Sequence, residues 1–316
     1  MKIGLKVDVD TLKGTREGTL ALAKLFERRG INASFLFSVG PDHTGRALRR
    51  LFRPGFLAKV LRTSVPSTYG WETLTYGTLQ PGPHIGRKAG IVMRTVRKVG
   101  FETGLHAWDH VRWQDAVARK GEKWTRREWN RGVEAYRDVF GDAPTCCGAA
   151  GWQMNATVPM LEEQAGLQWA SDTRGKAPFL PHVNGRTWQC VQLPTTLPTM
   201  DELIGRGGVT ADNVGRSLVE EVDRNPLPLQ VFTLHAELEG GPLLRQFEQA
   251  LDGWQAAGAE FVSLGEMAAM LNRSTLAVAE IERGTVPGRA GKLAVQGPSA
   301  PSDRAALDPN HGERIA

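Results

Sequence analysis

The 316-residue chain reads as an α/β protein, a distorted (β/α) barrel of about seven strands. Short β-rich runs alternate with helix-period segments over most of its length, the order of a parallel sheet. Polar residues able to do chemistry recur where those runs end, and the strand ends of a parallel barrel share one face.

Lys2 to Val9 is the first strand. Thr15 to Arg29 follows as a helix, with Thr15 as its N-cap and Gly30 as its stop. Asn32 to Ser38 and Gly100 to Leu105 are the next strands, separated by a long insertion over residues 40–88. Thr125-Arg126-Arg127-Glu128 has the pattern of a capping box, opening a helix that stops near Gly141. Strand Pro144 to Gly148, helix Asn155 to Gln164 and strand Leu167 to Ser171 come next. Trp188 to Leu193 is a strand, Thr210 to Arg224 a helix and Leu229 to Leu234 a strand. Helix Pro242 to Ala257 and strand Glu260 to Val262 precede a last helix ending near Leu271. The barrel thus occupies residues 1–272. Residues 273–316, rich in Gly, Pro, Ala, Ser and Arg and without periodicity, read as a loosely ordered tail.

Composition narrows the function. At 41% hydrophobic and 23% charged residues the chain is a folding one. No apolar run approaches the 18 or so residues of a membrane span, and Met1 to Leu5 lacks the apolar core of a signal peptide. Cys146, Cys147 and Cys190 make no C-x-x-C and no disulfide framework; they read as buried small side chains in a reducing cytosol. The net charge is +5, but residues 46–98 alone hold eleven basic residues against Glu72, so that segment is +10 and the remainder −5. One basic region on a mildly acidic body argues against a nucleic-acid-coating protein.

The strand ends supply Asp8-Val9-Asp10, His106 and His110, Asp172 and Arg174, and His235. On a helical turn, the i, i+4 spacing of His106 and His110 would set both imidazoles on one side, as chelation requires; histidines so spaced also occur as surface or cap residues. Asp10, from a facing strand, is the candidate third ligand of one divalent ion, which would polarise a carbonyl and activate a water. Zinc, cobalt, manganese and iron(II) all suit such a donor set.

Asp8-Val9-Asp10, His106-x-x-x-His110 and Leu234-His235 resemble motifs of the metal-dependent polysaccharide deacetylase (NodB-homology) superfamily, whose fold is a distorted (β/α) barrel. Longer blocks resemble the branch that removes formyl from an undecaprenyl phosphate-linked amino sugar. They are the run from Asp8 to Gly18, Phe37 to Asp42, Tyr69-Gly70-Trp71, Gly104 to His110, Leu197 to Glu202 and His235-Ala236-Glu237. The resemblance runs from residue 2 to about 271. It implies hydrolysis of a linear amide C–N bond with release of formate, in lipid A aminoarabinose modification and resistance to cationic peptides. It further implies Asp10, His106 and His110 as metal ligands, Asp8 as general base and His235 as general acid. Deacetylation of another amino sugar, or glycolipid binding without catalysis, are the alternatives; a base and an acid flanking a metal argue against the second.

One departure stands out. The superfamily usually has an R-x-P-x-G segment whose arginine orients the base, but here Cys146 to Trp152 has neither arginine nor proline. Arg174 could take that part, with Asp172 orienting His235; an ion pair at the barrel rim is the other reading. In the first case Arg174→Ala costs turnover far more than stability.

Within Arg46 to Arg62, six basic residues interleave with Leu48, Leu51, Phe52, Phe56, Leu57, Val60 and Leu61. Such a segment is either a lid packed on the barrel or an interfacial anchor. A lipid-linked substrate favours docking on an anionic membrane surface, so the resemblance places the protein peripherally on the cytoplasmic face of the inner membrane. Trp108 and Trp152, with Trp71 and Trp113, are candidates to wall a sugar pocket, or to fill the core. Gly14, Thr15 and Arg16, at the first helix N-terminus, are candidates to hold the substrate phosphate.

Overall fold

A computed structural model describes residues 1–47 and 71–300. Its centre is β1 (Lys2–Val9), whose residues are buried on both faces from Ile3 onward, as in a sheet covered on both sides. Successive side chains alternate. Ile3, Leu5, Val7 and Val9 point into the layer between sheet and helices. Gly4 faces Leu264 and Met267 inside the curl, and Lys6 and Asp8 share its face.

β1 pairs in parallel with β2 (Ser34–Ser38) and with β9 (Leu229–His235), and β10 (Glu260–Val262) extends the β2 side along Lys2 to Gly4. From β2 the order continues through β3 (Glu102–Ala107), β4 (Cys146–Cys147), β5 (Trp169–Ala170) and β8 (Val191–Gln192), all parallel. Just past β8, the N–H groups of Thr196 and Leu197 both donate to the Val231 carbonyl of β9. These parallel strands thus curl back on themselves, and a few bonds replace a ladder at the seam, with Thr196 Oγ1 also accepting from Val231 N–H. That is the distortion in this barrel.

The covering helices are α1 (Thr19–Arg29), α2 (Trp71–Thr75), α3 (Ile85–Lys98), α4 (His110–Ala116) and α5 (Glu122–Phe140). After them come α6 (Val158–Gln164), α7 (Met200–Leu203), α8 (Val214–Arg224), α9 (Leu244–Ala256) and α10 (Leu264–Ala269). Gly30 and Gly141 stop α1 and α5 in the left-handed conformation expected of them. Among the described residues no helix is long and apolar enough to cross a membrane.

Several local expectations fail for physical reasons. Thr15 is not an N-cap: the first helical turn begins three residues earlier, where Thr11 Oγ1 accepts from Gly14 N–H, and a π turn over Gly14–Gly18 leads into α1. Thr125 is not one either, because α5 opens at Glu122. Glu128 instead turns inward, 3% exposed, and binds Arg112, Arg127 and Arg131. Helix α3 lies partly in the expected insertion and partly beyond it. Residues 48–70, with most of the basic apolar segment, lie outside the described residues.

Residues 273–300 are not a loose tail. β11 (Ala277–Gly284) runs parallel to β6 (Phe179–Val183), and β12 (Leu293–Ser299) returns antiparallel to it. An edge strand supplies unpaired N–H and C=O groups that order a partner whatever its composition. β6 itself turns into β7 (Arg186–Thr187) through Asn184-Gly185, both at positive φ. That dipeptide is a strong hairpin signal, left unread in the sequence. Residues 301–316 lie outside the described residues.

Candidate active site

The strand ends bring Asp10, His106 and His110 together. His106 Nε2 lies 3.2 Å and His110 Nε2 3.4 Å from the same oxygen, Asp10 Oδ1. The imidazoles stack at 5.3 Å and 28°. They do not share a helical turn, however. His106 belongs to β3 and His110 opens α4, and Asp109 between them caps that helix by accepting from Arg112 N–H. His43, assigned no part in the sequence, holds the other Asp109 oxygen at 2.6 Å.

The donor set fits a divalent cation. Its ligand atoms lie within 4.8 Å of one another, and among the described residues buried Asp10 Oδ1 meets no donor besides these two imidazoles. His106 Nδ1–H donates to the Gly148 carbonyl at 2.7 Å, which fixes the tautomer that leaves Nε2 a lone pair. Burial alone would raise the Asp10 carboxyl, but His110 and then His106 hold it well below the usual range. His106 shifts the opposite way: burial would lower it, and Asp8 and Asp10 raise it above an ordinary imidazole.

Glu237 shapes the Asp10 loop. Its Oε1 accepts from Asp10 N–H, Thr11 N–H and Thr11 Oγ1. Burial, with the charge of Asp10, pushes this carboxyl up to about 8. Gly14 permits the approach, since a Cβ there would sit 1.9 Å from Glu237 Oε1. Glu237 was visible in the His235-Ala236-Glu237 block without an assigned task; only the barrel puts β9's end against β1's.

Asp8 lies beside the donor set, 3% exposed, with Oδ2 at 3.4 Å from Lys6 Nζ and, among the described residues, no hydrogen-bond partner for Oδ1. Lys6 is another residue that the sequence reading passed over. The available signal was a lysine inside an apolar strand run, at i, i+2 and i+4 with Asp8 and Asp10.

Arg174 and Asp172 are engaged with partners other than Asp8 and His235. Arg174 Nη1 pairs with Glu202 at 2.6 Å and Nη2 donates to the Leu197 carbonyl. Asp172 accepts from Ala149 N–H at 2.6 Å and from Gln192 Nε2 at 3.0 Å. It therefore braces the loop after β4. With Cys147 and Glu162 it forms a second compact donor cluster, but those groups satisfy one another: Cys147 meets Glu162, and Gln192 bridges Glu162 and Asp172. Burial and the neighbouring Asp172 push the Glu162 carboxyl well up. All three cysteines are buried, and burial raises their thiols, which fits packing roles.

His235, at the end of β9, meets the ring of Trp152 edge-on at 6.5 Å and 82°. Its Nδ1 is buried with no hydrogen-bond partner among the described residues, and its backbone N–H donates to Glu239 Oε2 at 2.7 Å. Trp152 is 1% exposed, held at φ 52° and tied by Nε1 to Thr195 Oγ1. The guanidinium carbons of Arg174 and Arg289 lie 5.1 and 4.6 Å from its ring centroid. Of the other expected substrate contacts, Trp108 is partly buried beneath Arg131, and Arg16 is exposed with Nη2 on the Lys88 carbonyl.

A curled parallel sheet with an Asp-His-His donor set, a carboxylate and a histidine at its strand ends is the fold of the polysaccharide deacetylases. Solved structures share the fold. One described as a polysaccharide deacetylase from Mycobacterium smegmatis superposes with a TM-score of 0.60 at 16% identity, covering 90% of this chain and 94% of that one. A probable polysaccharide deacetylase from Pseudomonas aeruginosa gives 0.58 at 13% identity, covering 85% and 89%. No family model matches the chain.

Two curated relatives carry the name 4-deoxy-4-formamido-L-arabinose-phosphoundecaprenol deformylase ArnD. The one from Shewanella sediminis is 38% identical over 266 residues, 84% of this chain and 85% of its own. The one from Wigglesworthia glossinidia brevipalpis is 31% identical over 284 residues, 90% and 98%. The chain belongs to this ArnD deformylase family, hydrolases of an amide C–N bond.

Proposed function

We propose that the protein removes the formyl group from 4-deoxy-4-formamido-L-arabinose carried on undecaprenyl phosphate, releasing formate, in lipid A modification and resistance to cationic peptides. The observation that carries this reading is the position of Asp8. Its unpartnered Oδ1 lies beside a three-residue donor set suited to a divalent ion. Held by Asp10, His106 and His110, such an ion would polarise the formamide carbonyl and acidify a water. Asp8 Oδ1 takes the proton of the attacking water as general base. His235 supplies a proton to the amine nitrogen as the C–N bond breaks, so amide and water become amine and formate. Trp152, with both arginines at its ring, serves by holding His235 in place more than by stacking on sugar. Arg16 meets the phosphate, and Trp108 walls the sugar side.

The same reading sets the protein peripherally on an anionic membrane surface at the cytoplasmic face, through residues 46–62. The outer side of α3 continues that basic character: Arg87, Lys88, Arg94 and Lys98 are exposed around Ile91, itself 74% exposed.

The test is formate release from the lipid-linked formamido sugar, beside acetate release from the acetamido analogue, with metal analysis of the purified protein. Activity should fall with a chelator, return with added divalent metal, and be lost in Asp8→Ala. Formate release indifferent to both chelator and Asp8→Ala defeats the proposal.

A further inference from the structure

We infer that Lys6 is the positioning residue of the base: its ammonium fixes the Asp8 carboxylate so that one oxygen is anchored and the other is open toward the ligand set. Lys6 is fully buried, inside the curl of the sheet. A buried ammonium needs partners for its protons, or its desolvation goes uncompensated. Nζ has three. It donates to the Ser171 carbonyl at 3.0 Å, lies 3.4 Å from Asp8 Oδ2, and stands 5.4 Å from the ring centroid of Trp152.

The other cationic candidates are engaged elsewhere. The loop from Cys146 to Trp152 contains no basic residue. Arg174 is bound to Glu202. His106 Nδ1, 3.7 Å from Asp8 Oδ1, gives its proton to Gly148. Among the described residues, Lys6 is therefore the one lysine or arginine within ion-pair distance of Asp8.

The consequence is directional. Because Lys6 and Asp8 leave one face of one strand two residues apart, the ammonium approaches Asp8 from below, along β1. Oδ2 is drawn down toward Lys6, and Oδ1 is left on the side of His106, with no donor of its own among the described residues. Lys6 also shares Trp152 with His235. One side chain thus touches the base directly and, through one indole, the support of the acid. A filler that merely tied β1 to β5 through Ser171 would have no reason to meet either.

This inference rests on the amide-hydrolase reading and is tested beside it. Lys6→Met retains length and removes charge; Lys6→Arg retains charge. Formate release, metal affinity by calorimetry and circular dichroism are measured on both, with Asp8→Asn and the double variant. Lys6→Met should lower kcat about a hundredfold or more, the scale of a displaced general base, with KM and metal affinity held within about twofold. Lys6→Arg should recover most of the loss. The double variant should be no slower than Asp8→Asn alone, since residues acting as a unit are not additive. A folded Lys6→Met with kcat near wild type, or an additive double variant, overturns the assignment. If Lys6→Met does not fold, Lys6→Arg decides: retained kcat supports the role, and a loss confined to KM or metal affinity overturns it. A metal-loaded wild type without amide hydrolysis defeats both readings; an active wild type with an active Lys6→Met defeats this one alone.

Discussion

Arg174 and Glu202, both buried, close on each other at 2.6 Å, and Arg289 reaches the same carboxylate oxygen at 2.7 Å from beyond the barrel proper. Two guanidinium groups and one carboxylate thus clamp the turn between β11 and β12 onto α7. Burial would raise the Glu202 carboxyl, but Arg174 and then Arg289 hold it below its ordinary value. At 288 the clamp requires glycine, where φ is 86° and a Cβ would lie 2.4 Å from the Glu202 carbonyl oxygen.

Arg174→Ala should therefore lose stability before anything else. It removes a buried partner from Glu202 and strips donors from the Leu197 and Thr195 carbonyls. Breaking a buried pair from one side costs about 3–5 kcal/mol. Urea denaturation with circular dichroism measures it. A variant of wild-type stability with lost turnover would restore Arg174 to a direct part in the chemistry.

Glu239 should make stability fall with rising pH. Burial pushes its carboxyl up to about 8, from an ordinary 4.5. A raised carboxyl binds its proton more tightly folded than unfolded. Its contribution is therefore complete below about pH 4.5 and is lost as pH rises through about 8. Glu239→Gln keeps an acceptor for the His235 N–H and cannot titrate. Its stability curve between pH 5 and 8 should be flatter than wild type by about 1 kcal/mol per pH unit. Parallel curves would show that Glu239 is ionised in the fold.

Gly14→Ala should loosen the Asp10 loop. The added methyl would fall 1.9 Å from Glu237 Oε1, so the carboxylate that binds Asp10 and Thr11 must move. Overpacking of this kind costs about 1–3 kcal/mol. Metal affinity, read by calorimetry, should drop along with stability. An unchanged affinity would mean that Asp10 is placed by β1 alone.

The alternation of βα segments, the helix stops at Gly30 and Gly141 and the polar strand ends were legible in the sequence, because each rests on periodicity or on a single residue's conformational freedom. Asp10, His106 and His110 could be grouped as candidates from their strand-end positions and the family resemblance, although the two histidines do not share the helical turn expected of them. The N-caps could not: Thr15 and Thr125 have the right local pattern, but Thr11 and Gly121 hold those places, and Glu128 is drawn inward by three arginines. Which partner a charge takes is a matter of closure. Arg174 and Glu202 lie 28 residues apart and Lys6 and Ser171 lie 165 apart, and no local pattern encodes such distances. Residues 277–284 and 293–299 are strands because β6 leaves an edge for β11 and β11 one for β12, although their composition argues against it. The sequence by itself determined the fold class and marked Asp10, His106 and His110 as candidate ligands. Tertiary structure decided which cation lies beside Asp8, since only the curl of the sheet shuts Lys6 in with Asp8 and turns Arg174 toward Glu202.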